Sequence, residues 1–205
     1  MAIDETLVET ADLPSIRFYQ WDHKAISFGY FGKIAKVENL NGGRDLVRRW
    51  TGGGIVFHGE DLTYALVIPA SDPAFSKSSL WIYEEIHCAI ADALTINGER
   101  AELATEKNVN VQRLTFNDQC FANPVRADVL VNGRKIAGAA QRRTRRGFLQ
   151  QGSIQQVRLT NDFPERLAGQ LGQDLRPNEI EDVILRRAEE LVEQKYGTEA
   201  WMRRR

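Results

Sequence analysis

The stretch Ala127-Asp-Val-Leu-Val-Asn-Gly-Arg-Lys-Ile-Ala137 sets two short apolar runs on either side of Asn132-Gly133. A two-residue type I′ turn needs positive φ at both central residues, and Asn-Gly adopts it at little steric cost. The segment therefore predicts an antiparallel hairpin, with Lys135 on the outgoing strand among apolar neighbours. Downstream, residues 147–154 read as another strand. Upstream, residues 25–31, 45–50, 55–58 and 62–68 read as four more, the last two joined by the acidic turn Gly59-Glu-Asp61.

Helices frame this block. Leu80, Tyr83, His87, Ile90 and Leu94 recur at helical spacing within residues 76–94, with Ser76 and Ser78 as candidate N-caps. Residues 178–196 carry Ile180, Val183, Ile184, Leu191 and Val192 on one stripe and stop at Gly197. Ile3 with Leu7 marks a short amphipathic helix at the start. Residues 100–119 are polar and poorly patterned, and read as loop. The order predicts an α+β fold, a central mixed or antiparallel sheet flanked by helices.

The chain has 205 residues, 42% of them hydrophobic and 27% charged, which suits one globular domain over residues 1–205. No apolar run approaches the roughly 20 residues that span a bilayer, and the acidic start lacks the bases of a signal peptide. A cytoplasmic protein without a membrane partner is expected. Two cysteines cannot form a disulfide framework. A formal net charge of −1 argues neither for nor against nucleic acid.

Four features carry chemistry. In Arg48-Arg49-Trp-Thr51-Gly52-Gly53-Gly54 the glycines let backbone approach a ligand, and the arginines could neutralise a phosphate or carboxylate; a sheet bulge is the alternative. Lys135, between the turn and Gly138, could face a substrate carbonyl or thiolate, or guard an edge strand. Cys120 lies in a polar, loop-like context that favours reactivity, whereas Cys88 falls inside a helix and reads as core. Arg142, Arg143, Arg145 and Arg146 form a basic cluster, either a solvated turn or a docking patch. The three histidines lack metal-ligand spacing, so no metal site is expected; His87 reads as packed, and His58 as lining the glycine cleft.

Arg48-Arg-Trp-Thr-Gly-Gly-Gly-Ile-Val-Phe-His58 resembles the arginine–glycine loop of the biotin/lipoate A/B protein ligase superfamily, and Gly133-Arg-Lys-Ile-Ala-Gly-Ala-Ala-Gln-Arg142 resembles its lysine segment. Ser27-Phe-Gly-Tyr-Phe31, Leu62-Thr-Tyr64, Cys120-Phe121, Leu149-Gln150, Gly152-Ser-Ile154 and Lys195-Tyr196 before Trp201 match in order. Within the superfamily the likeness is to cysteine-type protein octanoyltransferases and short lipoate–protein ligases.

The resemblance implies a catalytic domain with a central mixed sheet and no accessory C-terminal domain. It implies that Arg49, Thr51, Gly52, Gly53, Gly54, Ile55, Val56 and Phe57 bind the acyl donor, with His58, Gly138, Gln151 and Gly152 in the same site. Cys120 would carry the acyl group as a thioester, and Lys135 would favour its thiolate. An octanoyl or lipoyl group would pass from acyl-carrier protein to a lysine of a lipoyl domain or glycine-cleavage H-type protein. That route needs no cofactor and no nucleic acid. The alternative is an ATP-dependent lipoate–protein ligase, with Asp128 placing Mg²⁺ or nucleotide. A third reading is a catalytically silent relative binding acyl groups or nucleic acid. The sequence departs from the family in having Gln151 where histidine is usual, in Arg126-Ala-Asp128, which is closer to the ligases, and in starting inside the family's Asn-x-x-x-Asp-Glu segment.

Overall fold

The computed structural model describes residues 1–96, 99–106, 121, 123–172 and 176–204. Among them the chain runs α1 (Ala2–Thr10), β1 (Ser15–Tyr19), β2 (Ala25–Phe28), α2 (Ala35–Glu38), β3 (Asp45–Arg48), β4 (Val56–His58) and β5 (Leu62–Pro69). A 3₁₀ turn (Pro73–Ser76) leads into α3 (Ser79–Ala93), followed by the short strands β6 (Thr95–Ile96), β7 (Glu99–Arg100) and β8 (Glu102–Leu103). Then come β9 (Val129–Val131), β10 (Arg134–Arg143), β11 (Gly147–Ile154), α4 (Phe163–Leu171), α5 (Asp182–Leu191), a π-turn (Val192–Tyr196) and α6 (Glu199–Met202).

The large sheet has the order β1-β5-β11-β10-β9-β8 and is antiparallel at every pairing. The mixed pairing sits in a small sheet, β3-β2-β4, where β2 runs parallel to β3 and antiparallel to β4. Strands β4 and β5 are therefore no hairpin: the Gly59–Asp61 turn carries the chain from one sheet to the other.

Strand β5 reads as an unbroken apolar run because both its faces are covered. Tyr64, Leu66 and Ile68 point at α3 and α4, joining Ile82, Ile86, Ile90, Phe163 and Leu167 in the main core. The alternate residues Ala65 and Val67 pack with Leu149 against Val8 of α1. Burying each such side chain contributes about 1.5–3 kcal/mol. Residues of a strand alternate between faces, so one continuous run serves two layers.

The Asn132-Gly133 hairpin forms as expected, with φ of 50° and 72°. Helix α3 starts at Ser79, capped by Ser78 Oγ, which accepts from Trp81 N at 3.1 Å; residues 73–76 belong to the 3₁₀ turn. Cys88 is exposed, contrary to its expected place in the core, because α3 buries the face of Ile82, Ile86, Ala89 and Ile90. Leu80 is half exposed for the same reason. The last long helix starts at Asp182, and Val183 of the expected stripe faces solvent. Among the described residues no helix is long and apolar enough to cross a membrane.

Candidate active site

Small residues on two paired strands shape the main pocket. Gly138, Ala139 and Ala140 of β10 lie opposite Ser153, Gly152 and Gln151 of β11. With little side chain on either strand the sheet surface becomes a trough, walled by Trp21, Val56 and Phe121. Ser27, Arg49 and His58 enter from the small sheet. The pocket encloses about 420 Å³ including its open mouth.

Lys135 sits beneath the Gly138 end of this floor. Its Nζ is 2.7 Å from Asp128 Oδ2, and both side chains are buried. Asp128 Oδ1 accepts from Tyr83 Oη at 2.6 Å, and Oδ2 also accepts from Val125 N at 2.7 Å. Tyr83 Oη in turn accepts from Ala139 N of the pocket floor. A Cβ on residue 138 would lie 2.4 Å from Lys135 Cε and 2.6 Å from Nζ, so glycine is what admits the lysine here. Lys135 Nζ also lies 5.2 Å from the Phe121 ring centre. Asp128 thus fixes the lysine and stays out of the pocket lining, rather than facing a ligand as expected.

The two arginines before the glycines do different work. The Arg48 guanidinium is buried and donates to the carbonyls of Tyr30, Gly32, Met202 and Arg204, which leaves it nothing for an anion. Arg49 lines the pocket and braces the loop, donating to Gly52 O at 3.1 Å, Gly54 O at 2.7 Å and Ser27 Oγ at 2.7 Å. Thr51 is buried and donates to Gln151 Oε1 at 2.8 Å. Gln151 Nε2 donates to Asp4 Oδ2 of α1 at 2.6 Å. A side-chain amide can accept from a hydroxyl and donate to a carboxylate at once, so Gln151 ties the glycine loop to α1. Burial pushes the Asp4 carboxyl up, but the chain's amino terminus and Arg17, with hydrogen bonds from Arg17 and Gln151, bring it below the usual carboxylate range.

His58 heads a buried chain. Its Nε2 is 2.6 Å from Ser27 Oγ and its Nδ1 2.7 Å from Asp61 Oδ2. Asp61 also accepts from Ser153 Oγ at 2.6 Å, Thr63 Oγ1 at 3.0 Å and Gly59 N at 3.0 Å. Burial raises the Asp61 carboxyl, but the hydrogen bonds it accepts from His58, Ser153 and Gly59 leave it lowered. Trp21 stacks on the imidazole at 4.2 Å between ring centres.

Of the expected site residues, Arg49, Val56, His58, Gly138, Gln151 and Gly152 line the pocket. Thr51, Gly52, Gly53, Gly54, Ile55 and Phe57 build the loop and strand behind it and are not in its lining. Cys120 lies outside the described residues.

Residues 1–186 match the model of the lipoyl protein ligase A/B catalytic domain. The chain belongs to this family. Octanoyltransferase LipM of Brevibacillus brevis is 29% identical, over 100% of this chain and 94% of that protein. Octanoyltransferase LipM of Geobacillus kaustophilus is 37% identical over 75% of this chain, which spans only 59% of that protein. A bi-partite lipoate protein ligase of Thermoplasma acidophilum superposes with a TM-score of 0.72 at 23% identity, covering 98% of this chain and 89% of that one. A lipoate-protein ligase A structure bound with ATP gives 0.73 at 22%, covering 98% and 91%. These two show the lipoate-ligase fold.

Several residues of this family member's site escape a reading by motif. Trp21 carries no local pattern that points to a pocket, and Ser27 and Thr63 stand in family-like runs without being marked there as site residues. Asp61 had one: it follows His58 by three residues across a turn, and turns of that length return a side chain to its neighbour. The basic cluster divides. Arg142 stacks on Tyr30 and Trp50, at 4.8 and 4.5 Å from the ring centres, and Arg143 donates to the carbonyls of Phe75 and Lys77. Arg145 and Arg146 alone occupy the exposed turn. Strand β10 runs three residues past Ala140 to Arg143, roughly 10 Å at strand rise, before that turn begins.

Proposed function

We propose that the chain is a protein octanoyltransferase acting through Cys120. The observation that carries this reading is its likeness along its whole length to a curated octanoyltransferase, supported by the buried Lys135–Asp128 pair beside Phe121, the chain neighbour of Cys120. The Cys120 thiolate attacks the carbonyl carbon of an octanoyl thioester on acyl-carrier protein, a C–S bond forms, and the carrier thiol leaves. A free thiol titrates near 8.5, so a fixed cation is what populates thiolate near neutrality. Lys135 is that cation. The acyl group then passes to a lysine amine on a lipoyl domain or a glycine-cleavage H-type protein. Thioester cleavage supplies the driving force, and no cofactor is needed.

Cys88 is a poor rival. Partial burial and the charges of Glu85, Asp92 and Glu84 push its thiol up, away from thiolate. The ATP-dependent ligase reading gave Asp128 to Mg²⁺ or nucleotide, but its carboxylate is buried, accepts from Tyr83 and Val125 and pairs with Lys135.

Intact-mass spectrometry after incubation with octanoyl-acyl-carrier protein tests the proposal. One octanoyl unit should add to the wild type and to Cys88→Ala, and none to Cys120→Ala, which should also lose turnover. Full activity in Cys120→Ala, or modification only with lipoate and ATP, overturns it.

A further inference from the structure

The second half of that reaction releases a proton. A neutral lysine amine attacks the thioester, a C–N bond forms, the C–S bond breaks, and the nitrogen must shed one hydrogen. Lys135 is badly placed to take it: the departing thiolate needs its positive charge at that same moment. Among the described lining residues the titratable side chains are Tyr19, Arg49 and His58. Arg49 stays protonated, and burial pushes the Tyr19 phenol well up, so neither is a base near neutrality.

We propose that Ser27, His58 and Asp61 form a proton relay that accepts the acceptor-lysine proton in the second transfer; this rests on the octanoyltransferase reading above. The hydrogen bonds fix the direction. The Asp61 carboxylate only accepts, so neutral His58 carries its hydrogen on Nδ1 and presents a bare Nε2. Ser27 therefore donates its hydroxyl hydrogen to Nε2 across 2.6 Å. Arg49 Nη1 fills one lone pair of Ser27 Oγ at 2.7 Å, leaving the other for an incoming N–H. As Ser27 takes the amine's proton it passes its own to His58, and the imidazolium formed is held by Asp61. The net products are amide, Cys120 thiolate and protonated His58.

Other charged or titratable groups face this chain. Arg44 donates to the His58 carbonyl, not to the ring, and Tyr19 lies across the pocket, backed by Asp4 and Arg17. None of them is an alternative partner for Nε2. Ser27 would touch substrate; His58 and Asp61 act through it.

The test separates the half-reactions. Ser27→Ala removes one oxygen from the pocket lining, so its rate of adduct formation is measured first and serves as the reference for transfer. Transfer from preformed octanoyl-enzyme to a lipoyl domain should slow by about 10²-fold, the usual contribution of general base catalysis. The ratio of wild-type to Ser27→Ala transfer rates is then followed from about pH 8 to about pH 5. The acceptor amine titrates identically in both and cancels. An imidazolium cannot accept a proton from Ser27, so the ratio should fall toward one on acidification, and the ratio for His58→Gln should follow the same curve. A ratio that does not change with pH, equal slowing of both half-reactions, or unimpaired transfer overturns the relay. No adduct on the wild type overturns the octanoyltransferase reading instead.

Discussion

Lys135 Nζ and Asp128 Oδ2 meet at 2.7 Å with 2% and 0% of their side chains exposed. Removing one partner of a buried ion pair strands the other, at a cost of about 3–5 kcal/mol. Asp128→Asn should therefore lower the unfolding free energy by that order in urea titration. The double variant Asp128→Asn/Lys135→Met should recover much of the stability and none of the activity. Equal stability of the single and double variants would show that the pair does not hold this region.

Gly138→Ala isolates position from charge. The added methyl would fall 2.4 Å from Lys135 Cε, and the ammonium cannot swing aside without leaving Asp128. Overpacking of this kind costs about 1–3 kcal/mol, while an ångström of misplacement can cost about 10²-fold in rate. The expectation is a folded protein with adduct formation slowed by that factor. Unchanged kinetics would mean the lysine's position is not critical.

Acid should weaken the fold in two stages. Burial pushes His87 down to about 4, while its Nδ1 donates to Ala127 O at 2.6 Å and its Nε2 takes the Tyr64 hydroxyl at 3.1 Å. An unfolded histidine titrates near 6.5, so between about 6.5 and about 4 only the unfolded chain gains the proton. Stability is then full above about pH 6.5 and falls on the order of 3 kcal/mol by about pH 4. The lowered carboxyls of Asp4 and Asp61 act in the next window, contributing above about pH 4 and losing that contribution as pH falls through their folded values. In urea titrations across pH, His87→Gln should flatten the first stage and leave the second.

The arginine cluster should split in solution as it does in space. Arg145→Gln/Arg146→Gln should leave thermal stability unchanged and alter KM for an acidic carrier by at most about 0.2–1 kcal/mol per charge. Arg142→Gln should lower Tm, because the guanidinium is stacked between Tyr30 and Trp50, a contact of about 0.5–1 kcal/mol per ring. Equal Tm values for the two variants would contradict this division.

What the sequence made legible follows local chemistry. Asn132-Gly133 demands its turn, and β11 runs over the residues its pattern marked, 147–154. Strand β1 is absent from the sequence expectation although Ile16 and Phe18 alternate with Arg17 and Tyr19, a pattern too short to stand out. Helix α4 is absent too, despite Pro164 in its first turn and the buried pair Phe163 and Leu167. Within the site, the glycine loop and the lysine segment are runs of adjacent residues and can be read as motifs. The Ser27–His58 contact and the Thr51–Gln151–Asp4 bridge join distant elements, and no local pattern encodes such partnerships; only the His58–Asp61 step is local.

Arg48 sets an order of assembly. Its guanidinium is satisfied by Tyr30 and Gly32, already nearby in the chain, and by Met202 and Arg204, more than 150 residues later. During synthesis residues 25–58 emerge early, yet the small sheet holds a buried cation with half its acceptors missing until residues 202–204 clear the ribosome. Unmet donors on a charged group are expensive, so that sheet cannot lock before then. The large antiparallel sheet can close once β11 has emerged. The sheet that delivers Ser27 and His58 is therefore the last part to set, and the nascent chain remains without a finished pocket until residues 202–204 have emerged.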